Sequence, residues 1–457
     1  MNQADGKEPQ PSPLPTLIGF LPTLEGIPKL SKHYPHHQRL INSGDICYAF
    51  PGTLVAAGRN YGPWNFSAPA EVVNEFFSQV VFFLPCRIAA PPHDDDGFPY
   101  EEATKFVEGL KIPFVTASES IQISDYDYDP TFHRRLRPTV VRYLHTLADH
   151  STVVGTRGAY SADVLKKLGI NNVEVVGCPS LYINGPSLHP ALSKPRAFSS
   201  VEKVAVCYSN YQMNAHSRIR EVLAHAAKHG YYYVEQSFNL LVKALHYPGF
   251  IEASDLVQAQ NFFHGFQEIQ TLFRDGHVHY FTNYQLWKEF LGTMDFVFGA
   301  RMHGLTPAIQ CGVPSLFIAH DARVREMCEF FDLPFLAERE LPAQLVTEDL
   351  YHRCDYGAAT KGYPGHYQAF LAFLAKNGVQ PNCDAQGRIQ NYWEPQPAPE
   401  VAAGETCVRK PYNGHFFDLL CTLGQDFLKG PSPELEARIR ETAQLWYRTR
   451  VTLGEPF

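Results

Sequence analysis

Between Met294 and Pro334 the chain reads MDFVFGARMHGLTPAIQCGVPSLFIAHDARVREMCEFFDLP, and few architectures accommodate such a run. Phe296, Val297 and Phe298 form a short apolar stretch, and the polar turn Gly299, Ala300, Arg301, Met302, His303, Gly304 follows it. That pair reads as a buried strand feeding a tight loop. Leu305 to Cys311 suits a helix, with Pro307 in its first turn and Gly312 just past its end. Ser315 to Ala319 is a second apolar strand. In the helix beyond it Val324, Met327, Cys328 and Phe331 fall at helical spacing and share one face. Short apolar strands alternating with helices mark a parallel α/β sheet.

This order places Arg301 and His303 at the carboxyl end of a strand and over the amino end of a helix. Parallel sheets bind ligands outside those strand ends, and helix starts present unpaired N–H groups, so the expected ligand is an anion. A guanidinium offers a fork of donors matched to phosphate or carboxylate, and an imidazole two residues on can donate a hydrogen bond or deliver a proton. The alternative is a structural ion pair at Arg301 and a satisfied turn histidine at His303. Gly299 and Gly304 favour the ligand reading, because glycine allows close backbone approach.

The segment FGARMHGLTPAIQCGVPSLFIAHDARVREMCEF resembles the hallmark of the polysaccharide pyruvyl transferase family, in which a strand ends in a G-x-R-x-H turn before a helix and a G-x-P strand. A second stretch, VVGTRGAYSADVLKKLGINNVEVVGCPSLY from Val153 to Tyr182, resembles that family's R-x-x-x-S-x-x-x-L-x-x-L-G segment and the G-C-P-S-L after it. The resemblance also implies an N-x-G-D loop after the first strand. Here GRNYGPWN keeps Asn60 and Gly62 but has Pro63 in place of the aspartate, and TASESIQ shows no clear match to later loops.

A chain of 457 residues is long for one domain, and 45% hydrophobic with 19% charged residues describes a soluble protein with a sizeable core. The net charge of −8 argues against a nucleic-acid or anionic-membrane binder, so any anion site must be built locally from arginine. No apolar run is long enough to span a bilayer and the start lacks a signal-peptide pattern, which predicts a cytoplasmic protein. The ten cysteines include no C-x-x-C pair and read as buried thiols. His277 and His279 alternate on a strand but find no further ligand nearby, and His93 to Asp96 reads as a solvated acidic loop, so no metal or other cofactor is expected.

Residues 1–43 are expected as an irregular lead-in and 44–184 as a first α/β domain. Within it Leu54 to Ala57 is a strand ending at Arg59, Ser67 caps a helix through Phe77, and Phe114 to Ala117 is a strand entering the loop of Ser118, Glu119 and Ser120. Arg59 and Glu119 are site candidates on topology; a surface arginine and a capping or solvated glutamate are the alternatives. Arg134, Arg135, Arg137 and Arg142 read as a solvated basic face. Arg157 follows the strand Thr152 to Gly155 and precedes a helix Ala162 to Leu168 capped by Ser161, so it repeats the placement of Arg301 in the other half of the chain. Its alternative is an ion pair with a neighbouring carboxylate.

Residues 185–200, rich in Pro and Ser, read as a linker, 201–345 as a second α/β domain and 346–457 as a mixed helical extension. Ser254 to Phe273 is helical in pattern, the strand alternation is expected to stop after Leu333, and a final helix returning to the first domain would suit the architecture. The fold expected is two doubly wound parallel-sheet domains facing a cleft, similar to the GT-B arrangement. The family resemblance implies transfer of a pyruvyl group from phosphoenolpyruvate to a saccharide acceptor, forming a cyclic ketal and releasing phosphate. Under it Arg157 and Arg301 hold the donor's phosphate and carboxylate, and His303 is a third contact or the general acid. Asp321 is a candidate base or a helix cap, while Arg323 and Arg325 serve the helix surface. A GT-B glycosyltransferase using a nucleotide sugar, or a catalytically silent carbohydrate-binding or assembly protein, would carry the same strand and helix series.

Overall fold

The computed structural model describes residues 16–19, 59–60, 69–83, 87–92, 98–194, 196–208, 217–237, 239–281, 284–390 and 411–452. In the first unit the strands are β1 (Thr16–Gly19), β2 (Arg59–Asn60), β3 (Gln79–Phe82), β4 (Ile88–Ala89), β5 (Phe114–Thr116), β6 (Ile121–Gln122), β7 (Val154–Thr156) and β8 (Val173–Val175). Its helices are α1 (Ala70–Phe76), α2 (Tyr100–Glu108), α3 (Pro138–His150) and α4 (Ala159–Lys167). The strands pair in parallel as a sheet of order β2-β1-β3-β5, with β4–β6 and β7–β8 as separate pairs. One parallel bridge between Glu119 and Thr156 docks β7 beside β5. β1 lies within the expected irregular lead-in yet takes an interior place in the sheet, with Leu17 buried. The expected strand Leu54 to Ala57, the cap Ser67 and the loop His93 to Asp96 lie outside the described residues. Pro138 opens α3 as its position suggests, and Arg134, Arg135, Arg137 and Arg142 are exposed beside it.

The second unit is a six-stranded parallel sheet of β9 (Val204–Val206), β10 (Tyr232–Glu235), β11 (Val278–Tyr280), β12 (Phe296–Gly299), β13 (Ser315–Ala319) and β14 (Phe335–Ala337). Its spatial order β11-β10-β9-β12-β13-β14 is the doubly wound 3-2-1-4-5-6 order, in which the chain reverses direction across the sheet between β9 and β12. Helices α5 (Ile219–His229), α6 (Leu240–His246), α7 (Ala253–Phe263), α8 (Gln267–Arg274), α9 (Tyr284–Gly292), α10 (Met302–Gln310) and α11 (Ala322–Phe331) connect the strands. Beyond them come α12 (Thr347–Tyr351), α13 (Gly357–Lys376), α14 (Pro411–Lys429) and α15 (Pro433–Thr452).

Four expectations need correction here. The alternation does not stop at Leu333, because β14 adds an edge strand too short to leave a periodic signal. The stretch Ser254 to Phe273 is two helices, broken where His264 and Gly265 take φ of 57° and 150°. Residues 185–200 are no bare linker: Leu188 and Leu192 are buried, and Tyr351 Oη donates to the Arg196 carbonyl at 2.8 Å. The helix that returns to the first unit is α13, not the last one. Helices α14 and α15 instead stay on the second unit, where Phe417 stacks on Phe273 and Arg450 donates to the Leu245 carbonyl. Among the described residues no helix is long and apolar enough to cross a membrane.

The path of α13 joins the two units. Along β3 and β5, Val80, Phe82 and Phe114 face a core built with α2 and α3, while Val81 and Val115 face a larger core shared with α13 and the second sheet. Strand residues alternate between faces, so one thin sheet serves both cores. At the end of α13 the fully buried Phe373 packs on Gly155 of β7, where an added Cβ would stand 2.9 Å from the ring. Asn377 Oδ1 accepts from Val153 N at 3.0 Å. Removing that ring leaves a cavity at the seam, so Phe373→Ala is expected to cost about 3–5 kcal/mol. Urea unfolding monitored by circular dichroism should show a lower midpoint; an unchanged midpoint would mean that α13 does not tie the units together.

Candidate functional site

The strand-order reversal of the second sheet sets the floor of the site. Cys207 just beyond β9 and Arg301 just beyond β12 meet there, the Arg301 N–H donating to the Cys207 carbonyl at 3.0 Å. Gly299 has φ 155°, and a Cβ on it would lie 2.0 Å from the Cys207 carbonyl oxygen. A Cβ on Gly304 would meet Gln236 Nε2 at 2.4 Å and Cys207 Cβ at 2.7 Å. Both glycines therefore admit close approach, but the neighbours they admit are protein atoms rather than a ligand.

Helix α10 starts three residues earlier than the pattern suggests, at Met302, so Arg301 is its N-cap residue and His303 sits in its first turn. Pro307 consequently lies inside the helix instead of in that turn. The side chain of Arg301 itself does not cap this helix start. The Arg301 guanidinium donates through Nη2 to Ser237 Oγ on the loop after β10. His303 is partly buried, with Nε2 3.7 Å from the Cys178 thiol, which in turn lies 3.0 Å from Ser180 Oγ. Burial first, and then the positive charges of Arg157, Arg301 and Arg323, hold its imidazole well below the usual histidine range.

Arg157 enters from the first unit. It is fully buried at the end of β7, its N–H donating to the Glu119 carbonyl at 2.8 Å and its Nε to Ser118 Oγ at 3.3 Å. The helix behind it, α4, begins at Ala159, so the expected cap Ser161 is an interior residue. Its place is taken from across the units: the buried Glu326 of α11 accepts from Ser161 N at 3.0 Å and from Ser161 Oγ at 2.6 Å. A carboxylate at a helix start is favoured by the unpaired N–H groups and the helix dipole. Arg157 and Arg301, placed alike on their two sheets, thus both act on His303.

Arg323, expected on the helix surface, is turned inward, its side chain 12% exposed. It donates through Nε to Asp321 Oδ2 at 2.8 Å and through Nη1 to Gln122 Oε1 of the first unit at 2.6 Å. Of the two roles considered for Asp321, the geometry displays the cap, with Oδ1 accepting from Arg323 N and Val324 N at 3.0 Å each. Burial alone would raise its pKa, but Arg323 and His320 overcome that and pull it far below the usual carboxylate range. Arg325 does stay near the surface, over the rings of Tyr126 and Tyr128.

Glu119 is neither a cap nor solvated. It is 1% exposed, accepts from Thr116 Oγ1 at 2.6 Å and sits near Arg87 and Arg157. Burial pushes its pKa up to about 7 against the pull of those partners. Arg59 lies on β2, whose backbone stands at the sheet edge opposite β7, four strand spacings away, about 19 Å. Among the described residues no group of three or more His, Cys, Asp or Glu gathers to hold a metal, and His279 lies among Tyr232, Phe281 and Phe290. The sequence reading missed Cys178, Glu235, Gln236 and Ser237. Glu235 ends β10 and Gln236 and Ser237 follow it directly, and their place at the same sheet edge as Arg301 was the available signal.

Glu326, like Glu119, is pushed by burial from 4.5 up to about 7, against hydrogen bonds from Ser161. Between those values the folded protein keeps a proton that the unfolded chain has released, so stability falls as pH rises across the window. For Glu326 the loss amounts to about 3 kcal/mol. Glu326→Gln stays neutral and keeps an acceptor for Ser161 N. Thermal melts from pH 4.5 to 8 should show a shallower fall in Tm for this variant and a higher Tm than wild type at pH 8. Parallel curves would remove Glu326 as the source.

Residues 94–322, half of the 457-residue chain, match the model of the polysaccharide pyruvyl transferase family. No curated protein matches the chain significantly in sequence. Among solved structures, the UDP-GlcNAc 2-epimerase from Neisseria meningitidis bound to UDP-GlcNAc is 14% identical, with 79% of this chain and 100% of that one covered and a TM-score of 0.40. The Anabaena protein HepE in complex with UDP and glucose is 10% identical over 79% of this chain and 95% of that one, with a TM-score of 0.36. A functionally uncharacterized protein from Klebsiella pneumoniae is 11% identical over 69% and 88%, with a TM-score of 0.34. These likenesses are loose, whereas the family match spans both sides of the arginine cluster: the chain belongs to the polysaccharide pyruvyl transferase family.

Proposed function

We propose that this chain transfers a pyruvyl group from phosphoenolpyruvate to two hydroxyls of a saccharide, giving a cyclic ketal and inorganic phosphate. The observation that carries the reading is the seam that joins the two strand ends: Glu326 of α11 accepts from Ser161 behind Arg157, Arg323 donates to Gln122 of the first unit, and the charges of Arg157, Arg301 and Arg323 add to burial in lowering the proton affinity of His303. A cluster of that charge suits a small ligand carrying both a phosphate and a carboxylate. In the reaction C3 of the donor gains a proton and becomes a methyl group, two acceptor oxygens bond to C2, and the C2–O bond to phosphate breaks. One of the two hydroxyl protons ends on C3 and the other on phosphate.

Arg157 and Arg301 take the donor's phosphate and carboxylate, and the pull of both guanidinium groups strengthens as charge builds on the leaving phosphate. Burial, reinforced by the cationic surroundings, keeps His303 neutral in the free protein. A bound trianion offsets that field, raises the proton affinity of the imidazole and lets it serve as the acid toward C3. Asp321 serves by holding Arg323, since its oxygens are committed to the helix start and to that guanidinium. Glu119 backs Arg157 through the paired backbone and its charge.

Phosphoenolpyruvate is expected to raise the Tm of wild type by several degrees and to leave Arg301→Ala unmoved. Phosphate release should require a saccharide acceptor and fall by about 100-fold or more in Arg301→Ala. Stabilisation by a uridine diphosphate sugar with no response to phosphoenolpyruvate would transfer the site to glycosyl chemistry. Binding without acceptor-dependent phosphate release would leave a silent carbohydrate-pathway protein.

A further inference from the structure

The loop that follows β10 reaches the arginine cluster from a side no sequence motif marks. Its backbone is held by the fully buried Glu235, whose carboxylate accepts from Gln236 N and Ser237 N at 2.8 Å each and from Tyr233 Oη at 3.0 Å. Tyr233 Oη also donates to the Tyr208 carbonyl at 2.7 Å, tying the loop to the end of β9. Ser237 then accepts the hydrogen bond from the Arg301 guanidinium. The residue between them, Gln236, is 2% exposed, and its Nε2 has no hydrogen-bond partner among the described residues.

That amide is aimed at the start of α10, standing 2.4 Å from where a Cβ on Gly304 would be. Arg301, the N-cap residue of this nine-residue helix, does not cap it with its own side chain, so the helix start and the unpartnered Gln236 amide lie side by side, with Arg301 as the residue that joins them. Buried amide donors are nearly always paired in folded proteins. An oxyanion at the helix start would receive the amide hydrogen, the helix N–H groups and the guanidinium together.

We propose that Gln236 is a ligand-reading residue of this anion site, its Nε2 donating to a carboxylate or phosphate oxygen of the bound molecule alongside Arg301 and the start of α10. The inference deepens the proposed function and rests on an anion binding at that place. It makes Gln236 a binding residue for the donor rather than a group that moves protons, and Glu235 and Ser237 positioning residues for Gln236 and Arg301.

The test is Gln236→Met, close in volume without the donor, with Gln236→Glu beside it, each titrated with phosphoenolpyruvate, pyruvate and inorganic phosphate on the full chain. Loss of the amide should weaken phosphoenolpyruvate binding by about tenfold or more. The Tm of the unliganded Met variant should equal or exceed that of wild type, because an unpaired buried amide is gone. The carboxylate of Gln236→Glu should occupy the helix start itself, raising Tm and abolishing the response to the anions. Weakened pyruvate binding with intact phosphate binding assigns the contact to the carboxylate, and the reverse assigns it to the phosphate. A Met variant that binds phosphoenolpyruvate like wild type overturns this inference alone, all the more if its Tm has dropped, since the amide then only fills the helix start. A wild type that binds none of the three anions overturns both this inference and the proposed function.

Discussion

Three guanidinium groups act on one imidazole and repel one another, and buried carboxylates lie among them. Asp321 grips Arg323, Glu119 and Glu326 lie near Arg157, and Glu235 lies near Arg301. Each is buried, where charges interact over longer range than in water and where an unbalanced one is costly. The same burial pushes the proton affinity of Glu119 and Glu326 into the neutral range while Asp321, in direct contact with a guanidinium, stays ionised. One cluster thus contains carboxylates of two kinds, separated by whether a cation touches them.

This balance is struck between the units. Gln122 of the first accepts from Arg323 of the second, Glu326 of the second fills the helix start behind Arg157 of the first, and Ala322 N donates to the Asp125 carbonyl at 2.8 Å. At the outer edge Asp127 pairs with Arg339 at 2.8 Å. Helix α13 supplies the apolar part of the join through Phe373. The anion-binding groups are consequently held at a seam whose geometry depends on both sheets, which suits a site that must be rigid before its ligand arrives.

The match over residues 94–322 contains Arg157, Arg301 and His303 and stops just before Arg323, while the strands before it complete the first sheet. The C-terminal helices α14 and α15 lie on the far flank of the second unit and take no direct part in the cluster. Their buried faces, with Phe417, Leu420 and Trp446 at no measurable exposure, extend the larger core instead.

The alternation of apolar strands and helices through the middle of the chain, the placement of Arg157 and Arg301 at strand ends, and the helix face of Val324, Met327, Cys328 and Phe331 were legible in the sequence, whereas the short strands β1 and β14 and the helix break at His264 were not. Each legible feature depends on local periodicity and on turn residues beside it, which the chain carries in one dimension. The inward turn of Arg323, the capping of α4 by Glu326 and the ledge formed by Glu235, Gln236 and Ser237 were not legible. Those features depend on which residues meet across a sheet or between units, and contacts made more than a hundred residues apart, such as Ser161 with Glu326, leave no mark in local spacing. The sequence by itself determined the type of sheet and the edge at which chemistry sits; tertiary packing alone decided which charges share that edge, because burial and opposing charge set the state of every group there.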